Sequence, residues 1–499
     1  MSYHLPIVLF LLPFATAISL PLIGSRFRSW CRPLALTALS AMCVGAVVNL
    51  TLFLENGETR YPLSGWPIST ELPVHPLGIE WVNDGLASVM VIVLSFLSWL
   101  CVFYSGPVAP QLGGRTVLYY TLILIMISGL TGLVFAGDIF NVFVFLELAA
   151  LSAYALVGIS GGRSLIAAFR YLILGSLGSS FYLLGIIFLY ATTGTLNMAD
   201  LSQQLAVRPE LMSSKAVIGG TTFMFIGFGI KIALFPLHSW LPGAYARAPD
   251  AISPMLAALM TKVALYAWVR ILFWVLGAGA EFGQVHVLTL LGVLGAIAAV
   301  AGALMALCQE DLKRMFAYGG ISHIGLILVG VSQGNETGFA GSMFYLINDA
   351  VMQAGLFFIA GAAIHQHQVR TLADVSRLRR SPWIVGSMIV MALSMIGIPP
   401  TGGFFGKWHI ILGALEANNY PAVAAIVVAT LLTMAYFQRF FVRVFADASP
   451  RVADTELHPS LRLSVGLTAA VVIVLGLCSD PMISFFLGTA ESALKFTAG

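Results

Sequence analysis

Charge is scarce in this chain. Of its 499 residues only 9% are Asp, Glu, Lys or Arg, where soluble domains carry about 25%. So few charges cannot cover a water-facing surface. Another 59% of residues are hydrophobic, and the mean hydropathy is +0.93. The net charge of +3 and the lack of any basic tract beyond short loops exclude nucleic acid as a partner. Cysteine is sparse too. Cys31, Cys43, Cys101, Cys308 and Cys478 form no CxxC or Cys/His pairing and read as small apolar helix residues. There is no phosphate-cradling Gly loop, haem or flavin signature, GxSxG or HExxH. No cofactor or metal is therefore expected, and no catalytic chemistry within the chain itself. What remains is proton transfer and charge movement.

The apolar runs are about 20 residues long, the length of a membrane-crossing helix and well beyond that of a barrel strand. They predict an all-α polytopic membrane protein with about fourteen spans, near 5–23, 34–54, 85–105, 116–136, 139–159, 165–192, 215–237, 251–277, 287–308, 316–333, 338–363, 382–404, 420–445 and 462–488. No basic region precedes LPIVLFLLPFATAISL, so it reads as a first span and not as a cleaved signal. Alternate loops hold most of the basic residues, from Arg26, Arg28 and Arg32 through Lys313 and Arg314 to Arg443 and Arg451. The opposite loops hold little beyond Arg60, Arg208 and Lys215, with the acidic loop 55–84 (Glu55, Glu58, Glu71, Glu80, Asp84) among them. This asymmetry predicts cytoplasmic basic loops and both termini outside. Two spans look interrupted: one runs from Lys231 into Pro236 and Pro242, and the other holds IGIPPTGGFFG at 396–406. Backbone groups freed by proline at membrane depth survive only against protein or water. A lysine beside each break, in spans five apart, marks an internally duplicated transporter with discontinuous helices.

The ionisable residues inside apolar runs are the candidate site. An ionisable group in hydrocarbon costs roughly 2.5–3.5 kcal/mol on insertion scales unless it meets water or a partner. Glu147 lies in NVFVFLELAALSAY, Lys231 in GFGIKIALFPLHSW, Lys262 in LAALMTKVALYAW and Lys407 in FFGKWHIIL. Glu147 and Lys231 form an expected acid–lysine pair. Lysine can release a proton when desolvated, which arginine cannot. The plainer readings are a neutral hydrogen-bonded acid for Glu147 and snorkelling for the lysines. His323 in GGISHIGLILVG can titrate near neutrality or serve as a packing residue. Asp349 in YLINDAVMQAG is a relay member or the partner of a lysine. His238 in PLHSWLP gates proton uptake or caps its helix. QEDLKR at 309–314 reads as a solvated interfacial loop.

The ordered stretches FNVFVFLELAALSAYALV, KIALFPLHSWLPGAYARAPDAISPMLAALMTKVALYAWVR, QEDLKRMFAYGGISHIGLI and GIPPTGGFFGKW, across about residues 85–445, resemble the antiporter-like subunits shared by complex I, Mrp-type cation/proton antiporters and membrane-bound hydrogenases. The resemblance implies fourteen helices, inverted five-helix repeats at helices 4–8 and 9–13, and broken helices 7 and 12. The corresponding segments are 1–115 (three helices), 116–277 and 287–445 (the repeats) and 446–499 (a loop and helix 14). It also implies the acid–lysine pair for Glu147 and Lys231, a linking lysine for Lys262, a central histidine for His323 and a terminal lysine for Lys407. The INDAVMQAG stretch is similar to that of the D-type Mrp subunit, except that Gln353 stands where a lysine is often found. The implied partners are other membrane subunits, protons and a cation such as sodium, in the inner (plasma) membrane. A redox-driven complex I or hydrogenase subunit, an autonomous solute permease and a silent scaffold are the rival expectations.

Overall fold

A computed structural model describes residues 4–63, 78–277, 281–282, 285–446 and 457–495. Glu71 and Arg451 lie outside them. The chain is nearly all helical, because a helix satisfies its backbone hydrogen bonds internally where no water can. In order the helices are α1 (Leu5–Arg26), α2 (Cys31–Asn56), α3 (Gly85–Tyr104), α4 (Thr116–Phe135), α5 (Ile139–Gly158), α6 (Arg163–Thr193), α7 (Met198–Val207), α8 (Lys215–Lys231), α9 (Leu241–Arg247), α10 (Ile252–Leu276), α11 (Val287–Leu307), α12 (Leu312–Val331), α13 (Glu336–His367), α14 (Pro382–Ile396), α15 (Gly402–Glu416), α16 (Tyr420–Ala446), α17 (Pro459–Leu477) and α18 (Ser479–Lys495). Among the described residues twelve helices are long and apolar enough to cross a membrane. The two predicted spans missing from that set are the interrupted ones, α8/α9 and α14/α15, so twelve whole and two broken spans make the expected fourteen.

Three features depart from the sequence expectation. The fourteenth span, predicted as 462–488, is two helices, because Pro481 restarts the chain as α18 where its ring would clash with a continuing helix. The twelfth runs past 404 to Glu416. Two small antiparallel hairpins also occur in the otherwise helical chain: β1 (Thr59–Pro62) with β2 (Glu80–Asn83), and β3 (Glu281–Phe282) with β4 (Val285–His286).

The breaks have local causes. After α8, Ala233 takes φ +56°, and Pro236 contributes no amide hydrogen. After α14, Gly397 takes φ +87°, and Pro399 and Pro400, which contribute no amide hydrogens, lie in a turn closed by Thr401 N–H to Ile398 O (3.3 Å) before α15 starts. A Cβ at Gly403 would lie 1.9 Å from the Ser394 carbonyl oxygen, so only glycine lets α15 begin against the end of α14. Side chains satisfy the carbonyls that each break exposes. The Trp240 indole donates to Ile230 O (2.9 Å), and the Lys407 amine donates to Met395 O (2.6 Å).

Helix starts follow capping chemistry. Asp84, Asp138, Asn197, Ser214, Asp311 and Asn335 each accept a backbone amide of the first turn. Two of these caps recur at matching places: Asp138 before α5 bridges to Asn197, and Asp311 before α12 bridges to Thr371. The sequence of span, capped span, long span, broken span and span thus runs twice, through α4–α10 and α11–α16.

The layers follow burial. The most apolar windows of α10, α12 and α13 are 100%, 89% and 94% buried, against 28% for α1 and α2. The three innermost helices are also those that carry Lys262, His323 and Asp349.

Candidate functional site

Glu147 lies on the outward stripe of α5, in register with the exposed Phe140, Val144 and Leu151. Its side chain keeps 22% exposure, whereas Lys231, the last residue of α8, is buried. The Lys231 amine donates to Glu147 Oε1 at 2.9 Å, and the Ser179 hydroxyl of α6 donates to the same oxygen. The Tyr154 hydroxyl stands 3.4 Å from Lys231 Nζ. The Tyr154 ring packs edge-on against Tyr171 (4.5 Å), which stacks flat on Trp240 (4.2 Å). These rings hold the ion pair to the break beside it. The expected acid–lysine pair is present.

A second cluster joins α10 to α12 and α13. Lys262 of α10 follows a π turn at Leu256–Met260, and its amine is 2.8 Å from Asp349 Oδ2 on α13. Asp349 Oδ1 is 2.8 Å from His323 Nδ1 on α12, and the Tyr345 hydroxyl is 3.2 Å from that nitrogen. An ionised Asp349 only accepts, so against it Nδ1 carries a hydrogen. Nε2 has no partner among the described residues. Asp349 and His323 are fully buried and Lys262 is 2% exposed. One carboxylate thus serves an amine and an imidazole inside the protein, the kind of buried pairing that tolerates no missing partner. Gln353, one turn on from Asp349, lies against Gly320, and its amide nitrogen has no hydrogen-bond partner among the described residues.

Lys407 stands apart. Its buried amine donates to Met395 O, Ile396 O (3.3 Å) and Thr430 Oγ1 (3.4 Å), a cation capping the C-terminal end of α14. A cavity of about 180 Å³ reaches it from the surface between α15 and α16, past Trp408 and Leu431. His238, in the connector after α8, stacks on Phe235 (5.0 Å) and meets Tyr318 edge-on (6.1 Å). Among the described residues, neither Lys407 nor His238 is hydrogen-bonded to the two clusters. Among the described residues, no chain of side-chain hydrogen bonds joins Lys231 to Lys262.

The expectation of a solvated QEDLKR loop needs correction. Glu310 is exposed and bound by Arg439 and Arg443, but Lys313 is 4% exposed. Its amine is 2.7 Å from Asp250, 3.0 Å from Ser253 Oγ and 3.2 Å from Ala248 O. α12 begins at Leu312, so its first turn packs against the α9–α10 corner instead of facing water. Sequence reasoning also missed Arg270, buried and paired with Asp84 and Tyr266. The spacing of Lys262, Tyr266 and Arg270 at i, i+4 and i+8 on one helix was the available signal. Lys313 and Asp250 offered none, being 63 residues apart.

A family model described as NADH:quinone oxidoreductase/Mrp antiporter, TM, matches residues 136–433. NADH-quinone oxidoreductase subunit N of Desulforudis audaxviator is 39% identical, covering 97% of this chain and 98% of that protein. The D-type Na(+)/H(+) antiporter subunit of Alkalihalophilus pseudofirmus is 28% identical, covering 99% and 98%. Among solved structures, a chain of the membrane-bound sulfane sulfur reductase, an archaeal respiratory membrane complex, superposes with a TM-score of 0.89 at 26% identity over 99% of both chains. The matched region holds both clusters, both broken spans and Lys407, and on that footing the chain belongs to the transmembrane family that NADH:quinone oxidoreductases share with Mrp antiporters.

Proposed function

We propose that this chain translocates protons as one membrane subunit of a larger complex, exchanging them for a cation such as sodium. The observation that carries this is the Lys262–Asp349–His323 cluster, three proton-holding groups enclosed in the most buried helices. The Glu147–Lys231 pair, partly open to the surface, acts as a switch whose closing and opening changes how firmly Lys231 holds its proton. Lys407, beside a cavity at the far edge, is the terminal station, and His238 lies along the approach between the halves. Internal water bridges the intervals that side chains do not span. The repeated element order supports duplication of segments 116–277 and 287–445. The Lys/Arg asymmetry supports a plasma-membrane protein with cytoplasmic basic loops and both termini outside.

A second reading, a proton-pumping subunit of a redox-driven complex, is favoured by the 39% identity to an oxidoreductase subunit against 28% to an antiporter subunit. The two differ in driving force. Subunits co-purifying after mild detergent extraction would be identified by mass spectrometry, and proton movement measured in everted vesicles given either a sodium gradient or an electron donor. One of the two should drive Lys231-dependent proton movement. If neither does, or if Lys231→Ala transports at the wild-type rate, the reading fails.

A further inference from the structure

Five lysine and arginine side chains are buried among the described residues. Four of them meet a carboxylate: Lys231 at Glu147 (2.9 Å), Lys262 at Asp349 (2.8 Å), Lys313 at Asp250 (2.7 Å), and Arg270 at Asp84. Lys407 is the exception. Its partners, Met395 O, Ile396 O and Thr430 Oγ1, are neutral oxygens, and among the described residues no carboxylate lies within ion-pair distance of its amine. A buried charge left without a counter-ion is the costly arrangement. The cavity of about 180 Å³ lies against this one amine. Phe404, Ile411 and Ile426 line its interior, and the exposed Trp408, Val427 and Leu431 stand at its mouth. Its depth narrows what can enter. Lys407 is nine residues before the end of α15 and Thr430 ten residues into α16, so both stand about 14–15 Å from the loop between the two helices, half of a hydrocarbon layer about 30 Å thick. Head-group phosphates do not reach that depth, and a helix about 10 Å across does not fit a space this small.

We propose that the groove between α15 and α16 binds a long-chain fatty acid from the bilayer, its carboxylate paired with Lys407 and its chain lying past Trp408 and Leu431 into the lipid. Charge complementarity selects the head: the carboxylate supplies the counter-ion that the chain's other buried basic groups already have. Apolar walls and mid-bilayer depth select the body, because a small aqueous anion has no hydrocarbon to bury there. The hydrogen bond to Thr430, the longest of the three at 3.4 Å, borders the cavity and is the one the carboxylate displaces. The Met395 O bond at 2.6 Å stays, so Lys407 still caps α14 when the site is filled.

The test uses membranes holding the intact complex, with assembly checked on native gels, and reads binding instead of proton movement. A palmitic acid analogue with a diazirine on its chain is photolysed in the membranes, and the labelled residues are mapped by mass spectrometry. Label is expected on α15 and α16 around Trp408, Val427 and Leu431, displaced by palmitate and not by hexadecanol. Lys407→Met should lower it about thirtyfold or more, the effect of removing one partner of a buried charge pair, and Lys407→Arg should keep most of it. Val427→Trp blocks the mouth without touching the partners of Lys407, and should abolish the label in a complex that assembles normally. Equal displacement by hexadecanol, or unchanged label in assembled Lys407→Met, would reduce the groove to a seat for any hydrocarbon chain and overturn the inference. So would wild-type complex that takes no label there, the result expected where another subunit covers the groove.

Discussion

Lys231→Arg separates a relay lysine from a structural one. Arginine keeps the positive charge and can keep the ion pair with Glu147, now at 2.9 Å from the lysine amine. At an effective dielectric near 20, two unit charges at that distance interact by about 6 kcal/mol. That is roughly four decades in a proton equilibrium at 1.36 kcal/mol per decade, so opening the pair can switch a lysine between holding and releasing its proton. The same switch cannot work on a guanidinium. Its proton affinity exceeds that of a lysine amine by about 2–3 decades, adding about 3–5 kcal/mol to any step that deprotonates it. Proton flux in everted vesicles, read by quenching of a pH-sensitive dye, should therefore fall about a hundredfold or more. The amount of assembled complex should hold close to wild type, because the charge pair survives. Wild-type flux in Lys231→Arg would reduce the pair to a structural salt bridge and refute the reasoning.

Other outcomes follow from packing and surface charge. A Cβ at Gly175 would fall 1.9 Å from the Tyr154 hydroxyl; Gly175→Ala should push that hydroxyl off Lys231 and lower flux without lowering the amount of folded protein, as seen by native gel and vesicle assay together. Lys407→Ala leaves the Met395 carbonyl without its donor, a loss of about 1–3 kcal/mol for an orphaned acceptor; thermal unfolding in detergent should show it, and Lys407→Arg should restore stability but not flux. Glu310 lies outside the spans, and its hydrogen bond from Arg443, with the Arg439 and Arg443 charges, holds its carboxyl below the usual value. A depressed folded pKa contributes stability above the ordinary carboxylate range and loses it as pH falls through the folded value. The midpoint difference between wild type and Glu310→Gln should thus be present at neutral pH and close below about pH 4. It should be small, since exposed pairs contribute about 0.2–1 kcal/mol.

Much of the architecture was legible because lipid leaves a helix few alternatives. Apolar length placed the spans, and the prolines after Lys231 and within IGIPPTGG marked both breaks. Where local rules compete the boundaries moved. Pro481 divides an apolar run that hydropathy reads as one span, and the β1–β2 hairpin is set by pairing across a loop, which periodicity does not show. Within the site, Glu147, Lys231, Lys262, Asp349 and His323 were conspicuous as ionisable groups in apolar runs. Their pairing into two clusters depends on which helices adjoin, which no single stretch encodes. Lys313 misled for the opposite reason. Among charged neighbours it looked solvated, and only the approach of Asp250 from the α9–α10 corner explains its burial.

Asp349 is the group on which the account turns, since one carboxylate serves both Lys262 and His323. Asp349→Asn keeps the size of the side chain and an oxygen facing His323, and removes the charge. The decisive measurement is the number of protons moved per turnover of the driving reaction in vesicles holding the assembled Asp349→Asn complex. The account predicts that proton movement is lost. Wild-type stoichiometry from that variant would contradict it.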